Sequence, residues 1–363
     1  MSSGVVRGVR CMIMRGGTSK GAYFLADELP SDSAARDALL LEVMGSPDAH
    51  QIDGIGGAHP LTSKVAVVCA SPDHDADVDY LFLQVSVDEP LVTDKQNCGN
   101  LLAGVGPFAV ERGLVSAQGD SAAVRIRMLN TGGVATARFP VANGLPVYSG
   151  DCHIAGVPGT AAPIELEFAD TAGSTCGALF PTGNVVDMIE GVEVTCIDNG
   201  MPVVIVRASD VGVTGQESCE ALEANAVMRA KVESIRLLAG TLMGLGDVTK
   251  LTVPKVTLVS PPAHGGTLCT RTFIPHRCHD AIGVLGAVSV ATAAMIPGTP
   301  AAAVSAVIAT PGRVTVEHPT GTLDATVEVE FVDGVATARR SGILRTARKL
   351  MDGAVFPRNQ VER

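Results

Sequence analysis

The chain repeats itself, and the repeat constrains its fold more than any single motif does. Asn97-Cys98-Gly99-Asn100 opens an apolar run that ends near Gly113. Arg277-Cys278-His279-Asp280 opens a second such run. Aligning Cys98 with Cys278 also brings Asn100 onto Asp280, Gly106 onto Gly286 and Val110 onto Val290. Upstream, Thr62-Ser63-Lys64-Val65-Ala66-Val67-Val68 resembles Val253-Pro254-Lys255-Val256-Thr257-Leu258-Val259. Further upstream, Gly16-Gly17 before an apolar run to Asp27 matches Asn199-Gly200 before one to Asp210. The three matches keep their order at offsets of 180, 191 and 183 residues, as two related halves would. The division is set at 1–184 and 185–363.

Each half reads as strands, one helix, then more strands. Apolar and polar residues alternate over 80–87, 124–128 and 327–331, as half-buried strands require. The runs after Cys98 and Cys278 are apolar on nearly every face, which marks buried helices. Each half is therefore expected to be a curved sheet around one central helix. Amphipathic helices are expected over 31–44 and 217–242. The weakly polar stretch 281–307 is broken by Pro297, Gly298 and Pro300, so it reads as a buried helix and a loop rather than a membrane span.

Composition removes several function classes. There is no Trp, aromatics are 3% of residues, and the net charge is −11, which argues against nucleic-acid binding. The nine cysteines contain no C-x-x-C pair, so zinc-ribbon and thioredoxin motifs are lacking. The N-terminal residues 1–15 carry three arginines and no apolar core of signal-peptide length. A cytoplasmic protein with reduced thiols is expected.

The strongest local signal is Gln96-Asn97-Cys98-Gly99-Asn100 at the start of a buried helix. Helix N-termini offer unpaired N–H groups and a positive dipole end, which suit carboxylates and favour a thiolate. Lys64 stands where Thr62-Ser63 gives way to an apolar strand, and a partly buried lysine can act as a base. A surface lysine ending a strand is the plain alternative. Arg15-Gly16-Gly17-Thr18-Ser19-Lys20-Gly21 is not a phosphate loop, because Gly rather than Ser or Thr follows the lysine. Its Arg15, Thr18 and Ser19 are still candidates to hold a carboxylate, with a structural turn as the alternative. Asp53-Gly54-Ile55-Gly56-Gly57 is too short a pattern for a dinucleotide site. Pro275-His276-Arg277-Cys278-His279 lacks a fourth metal ligand but gathers cations at the second helix start, with Arg271 on the strand before it. The turns around Phe180-Pro181-Thr182-Gly183-Asn184 and Asp198-Asn199-Gly200 are further polar candidates.

The words MRGGTSKG, QIDGIGG, LTSKVAVV, QNCGN, CGALFPTGN, CIDNGMPVV, VPK and FIPHRCH occur in this order. Together they resemble the family of 4-oxalomesaconate tautomerases and isomerases, which groups with 2-methylaconitate cis-trans isomerases. The resemblance runs from Met14 to about Gly353. It implies an α+β, diaminopimelate epimerase-like fold whose two halves flank the active site. It also implies that Lys64 and Cys98 flank the substrate as proton-transfer residues. Epimerases of this fold use one cysteine per half, but no catalytic role is carried over to Cys278.

The implied substrate is a conjugated oxo tricarboxylate from gallate, protocatechuate or lignin-derived aromatic breakdown. Carboxylate-holding candidates are Arg15, Thr18, Ser19, Asn97, Gly99, Asn100, Asn199, Arg271, His276, Arg277 and His279. The reaction is proton transfer giving an enol tautomer or a shifted alkene, with no cofactor and no metal. A homodimer is an admissible assembly, with neither nucleic acid nor membrane as partner. The alternatives are a 2-methylaconitate or aconitate isomerase and a non-catalytic polycarboxylate-binding protein. If the reading holds, exhaustive chelation and desalting leave activity intact. Activity lost in that treatment and restored by added metal or nucleotide would overturn it.

Overall fold

The computed structural model describes residues 8–95, 98–308 and 310–358 of the chain. The chain divides into two compact units, one of Met1–Glu167 with Arg345–Arg363 and the other of Phe168–Leu344. The expected division at 184/185 is thus moved, and the last residues return to the first unit. The reason is a single long strand, Val335–Val355. Its earlier part pairs within the second unit, while residues 347–355 pair with the N-terminal strand. A sequence repeat carries no record of such pairing.

The first unit contains β1 (Val9–Gly16), β2 (Ser19–Leu25), β3 (Lys64–Ala70), β4 (Val78–Val85), β5 (Val92–Thr93), β6 (Ser121–Met128), β7 (Val134–Ala142), β8 (Leu145–Pro146) and β9 (Pro163–Phe168), with helices α1 (Ser33–Met44) and α2 (Gly99–Glu111). The second contains β10 (Asp187–Ile189), β11 (Val192–Asp198), β12 (Pro202–Arg207), β13 (Lys255–Ser260), β14 (Leu268–Phe273), β15 (Arg313–His318) and β16 (Gly321–Val332). Its helices are α3 (Cys219–Ala224), α4 (Ala226–Leu242), α5 (Val284–Ala294) and α6 (Pro300–Val304), and β17 (Val335–Val355) ends the series.

The repeat is visible in the pairing. Strands β1, β2, β3, β4, β6 and β7 pair in the order antiparallel, parallel, antiparallel, parallel, antiparallel. Strands β11, β12, β13, β14, β15 and β16 pair in the same order. Parallel neighbours need a long crossover, and in both units the crossovers carry the helices. This is the expected α+β, epimerase-like arrangement.

In the first unit α2 packs against β1, β2, β3, β4, β6, β7 and β8, so the sheet curves around it. Its residues from Leu101 through Val110 are all buried, which explains a helix apolar on every side. The opposite sheet face is covered by α1 through Leu39, Leu40, Val43 and Met44, packed with Ala22, Phe24, Val65, Val67 and Leu83. The helix is well terminated, by the Asp32 carboxylate accepting from Ala35 N and by Gly45 at φ 80°. In the second unit α5 packs against β11, β12, β15 and β16. The other face belongs to α4, whose Met228, Val232, Ile235 and Ala239 pack with Val204, Val206, Val256, Leu258 and Phe273.

Two expectations change. The single helix expected over 217–242 is two, because the Asn225 side chain caps a new helix by accepting from Met228 N. The second central helix does not begin after Cys278. Its N-cap is Gly283, and Cys278 lies in the preceding loop with its thiol in the α4-side core. Among the described residues, no helix is long and apolar enough to cross a membrane.

The hairpin β1–β2 meets the first turn of α2 so closely that a Cβ on Gly16 would lie 2.4 Å from the Asn100 carbonyl oxygen. Neither backbone can yield cheaply. Gly16→Ala should therefore cost about 1–3 kcal/mol or more in denaturant unfolding, an overpacking effect. Wild-type stability in that variant would mean the hairpin is not held by this contact.

Candidate active site

The first site element is the start of α2. Cys98 is its N-cap, 8% exposed, in extended conformation and without a side-chain capping bond. The helix leaves its first amides without intrahelical partners. The hairpin turn Gly16-Gly17-Thr18-Ser19 closes over this end. A Cβ on Gly17, which has φ +51°, would lie 2.3 Å from Asn100 Oδ1. Asn100 Nδ2 donates to Thr18 Oγ1 at 3.0 Å. The glycines of MRGGTSKG therefore serve a close backbone approach and not a phosphate. Ser19 is 2% exposed, and its Oγ, Asn100 Oδ1 and Tyr80 OH are all buried without a hydrogen-bond partner among the described residues. Buried polar groups are normally satisfied, so three orphans near one helix start mark a place for a ligand.

The second element is the sheet face turned to α2. Register places Gly21 beside Lys64, Tyr23 beside Ala66, Gln84 opposite Lys64, and Phe82 opposite Ala66. Directly paired residues share a face. Tyr23 OH donates to Leu101 O at 2.7 Å, which fixes that face as the α2 side. Val65 and Val67, of opposite parity, pack on α1. Lys64 therefore points to the same side as Cys98. It is 8% exposed, its Nζ donates to Gln84 Oε1 at 2.6 Å, and it lies 4.9 Å from the centre of the Phe82 ring. Burial holds the Tyr23 and Tyr80 phenols well above their usual range, and negative charge on neighbouring Cys98 adds to this. Both phenols stay neutral at ordinary pH and are poor bases. Arg15, by parity, is turned away: its Nη1 donates to Gly17 O and to Thr346 O and Oγ1. Gly99 is the first residue of α2, and Asn97 lies outside the described residues.

The expected cation clamp in the second unit is not assembled at a helix start. Arg271 is paired opposite Leu258 and so belongs to the α4 face, where its Nε donates to Glu217 O at 2.8 Å. His276 lies 3.6 Å from Glu233 of α4. Arg277 and His279 are exposed on the loop before α5, with His279 Nδ1 accepting from Ala281 N. Cys278 Sγ is 3.2 Å from Cys219 Sγ, and burial raises the Cys278 thiol far above its ordinary range. Asn199 is fully buried: its Nδ2 donates to Thr292 Oγ1 and Ser341 Oγ, and its Oδ1 accepts from Thr171 Oγ1. It joins the β11–β12 turn to α5 and β17 and has nothing left to offer a substrate. The words CGALFPTGN and CIDNGMPVV bind each other, since Asp198 Oδ2 accepts from Thr175 N and Cys176 N at 2.7 Å.

Sequence reasoning overlooked Gln84, Tyr80 and Phe82. Their signal was present, because alternate positions 80, 82 and 84 of one strand share the face of Lys64. It also overlooked Lys255, the first residue of β13 as Lys64 is of β3. Its amine stands beside the α5 N-cap, 3.6 Å from where a Cβ on Gly283 would be, and burial lowers its pKa.

Residues 6–358 match the family model described as PrpF protein. The chain is 62% identical over 348 residues to a (4E)-oxalomesaconate Delta-isomerase of Novosphingobium sp. (strain KA1), covering 95% of this chain and 96% of that protein. It is 58% identical over 351 residues to a 4-oxalomesaconate tautomerase of Pseudomonas putida, covering 96% and 95%. The crystal structure of a methylitaconate-delta-isomerase superposes with a TM-score of 0.87 at 36% identity, covering 98% of this chain and 96% of that one.

If Asn199 is structural, Asn199→Ala strands the hydroxyls of Thr171 and Ser341 and leaves that of Thr292 only its bond to Val288 O. A loss of about 2–3 kcal/mol in unfolding free energy is expected, with KM of the folded fraction unchanged. A raised KM at full stability would return Asn199 to the substrate.

Proposed function

The chain belongs to the PrpF protein family, and from that premise we propose that it isomerises 4-oxalomesaconate by moving one proton, without a cofactor. The observation that carries this reading is the presence of Lys64 and Cys98 on one side of the sheet, beside buried polar groups that lack partners. The two relatives with 62% and 58% identity, whose names carry that substrate, support the substrate class.

A C–H next to a conjugated carbonyl is acidic enough for a side-chain base once the dienolate charge is stabilised. In this reading Lys64 removes the proton, and the electron pair passes into the conjugated oxo system. The unpaired amides at the start of α2 receive the charge. Cys98 returns a proton at oxygen, giving the enol, or at another carbon, giving the shifted alkene. Ser19, Thr18, Gly99 and Asn100 hold a carboxylate against the helix start. Substrates of this class arise in gallate, protocatechuate and lignin-derived aromatic breakdown, and the reading puts the enzyme in the cytoplasm, where thiols stay reduced.

Proton NMR of 4-oxalomesaconate with enzyme in heavy water identifies the exchanging carbon and the final position of the double bond. Lys64→Met should lower turnover about a thousandfold or more and abolish exchange, the upper range for an acid–base group. Cys98→Ser should still exchange substrate hydrogen while forming product slowly. Loss of exchange in Cys98→Ser would exchange the two roles. Near-wild-type activity in both variants would overturn the site assignment, and ligand affinity without turnover in the wild type would mark a binding protein.

A further inference from the structure

Gln84 faces Lys64 directly across the β3–β4 pair, and its Oε1 accepts from Nζ at 2.6 Å. An amide can turn either its oxygen or its nitrogen to a neighbour. Here the choice is forced, because Gln84 Nε2 donates to Ser63 O at 2.8 Å, to Pro60 O at 3.1 Å and to Val85 O at 3.4 Å. A flipped amide would press its oxygen against three carbonyl oxygens and lose every bond. Oε1 is therefore fixed on the lysine, and the Phe82 ring closes a second side of the amine.

We propose that Gln84 is a positioning residue that aims the Lys64 amine. This rests on the reading of Lys64 as the proton-removing base. A lysine side chain has four rotatable bonds, and a base must hold its lone pair on the substrate hydrogen. Donation of one N–H to a fixed oxygen confines that lone pair to the two positions left on the nitrogen. The same oxygen supports the ammonium formed when the proton is taken. Residue type matters as much as position. A carboxylate here would hold Lys64 in its ammonium form, whereas an amide oxygen gives direction without a net charge.

Two near-isosteric variants both lose the Nε2 bonds to Pro60, Ser63 and Val85, so the difference between them separates aiming from stapling of residues 60–63. Gln84→Met removes the acceptor, and kcat should fall roughly tenfold to a hundredfold with KM within about twofold, as misplacement of a reacting group does. Gln84→Glu restores an acceptor with a charge, so the rise of kcat/KM with pH should move upward by about one unit or more. Its alkaline plateau should stand above that of Gln84→Met. Wild-type kcat in Gln84→Met, or an unshifted pH profile in Gln84→Glu, would overturn the proposal. Lys64→Met is measured alongside. If it is inactive while the Gln84 variants behave as wild type, only the positioning role falls. If it stays active, the base assignment and the proposal fall together.

Discussion

Close approach of backbone sets the candidate site: the glycines of the β1–β2 hairpin rest on the first turn of α2, against the Asn100 carbonyl and side chain. Gly16 abuts the Asn100 carbonyl, Gly17 abuts the Asn100 side chain, and Gly21 fits between the Lys64 carbonyl and Leu101. Any Cβ at these positions would push the helix start away from the sheet. That distance decides whether a lysine on β3 and a thiol at the helix cap can serve one small molecule. The glycines carry no chemistry of their own, yet the chemistry depends on them. Directional bonds from the Tyr23 hydroxyl to Leu101 O and from Asn100 Nδ2 to Thr18 Oγ1 hold the helix end in place.

Strand parity then separates packing from chemistry. One set of alternate residues in β2, β3 and β4 packs with α1 as an ordinary apolar core. The other set carries Ser19, Tyr23, Lys64, Tyr80, Phe82 and Gln84 to the α2 side. A slip of one residue would exchange the two sets and bury a lysine under α1. The second unit repeats the plan with different content. Thr257 and Thr272 bond each other on its α5 side, while Arg271, Phe273 and Cys278 go to the α4 side. The two units share the backbone plan and the leading lysine, but α2 is capped by a cysteine and α5 by a glycine.

Much of this was legible because it is local. Helix α2 shows as an apolar run behind Cys98, and Lys64 shows as a charge at the edge of one. What was not legible depends on partners far along the chain. Arg271 and Asn199 look like ligand-binding residues until Glu217 O and the hydroxyls of Thr171, Thr292 and Ser341 occupy them. The alignment of Cys98 with Cys278 matched residue types but not helix caps, since the loop before α5 carries Cys278 ahead of the helix. The return of residues 345–355 to the first unit is likewise a matter of pairing, which composition does not encode.

The two similar relatives bear names for different outcomes of one substrate, a double-bond shift in one and tautomerisation in the other. Under the proton transfer proposed for this chain, both outcomes begin with loss of the same kind of proton and part where a proton is returned. A dienolate spreads its charge over oxygen and carbon, so small displacements of the donor decide which end is protonated. A factor of ten in that choice corresponds to about 1.4 kcal/mol, less than many single side-chain contacts contribute. High overall identity therefore does not by itself fix the product. On the proposed reading the donor is Cys98, the N-cap of α2, beside the bond between Asn100 and Thr18. On the proposed reading, the position of that turn relative to the substrate sets which end of the dienolate is protonated.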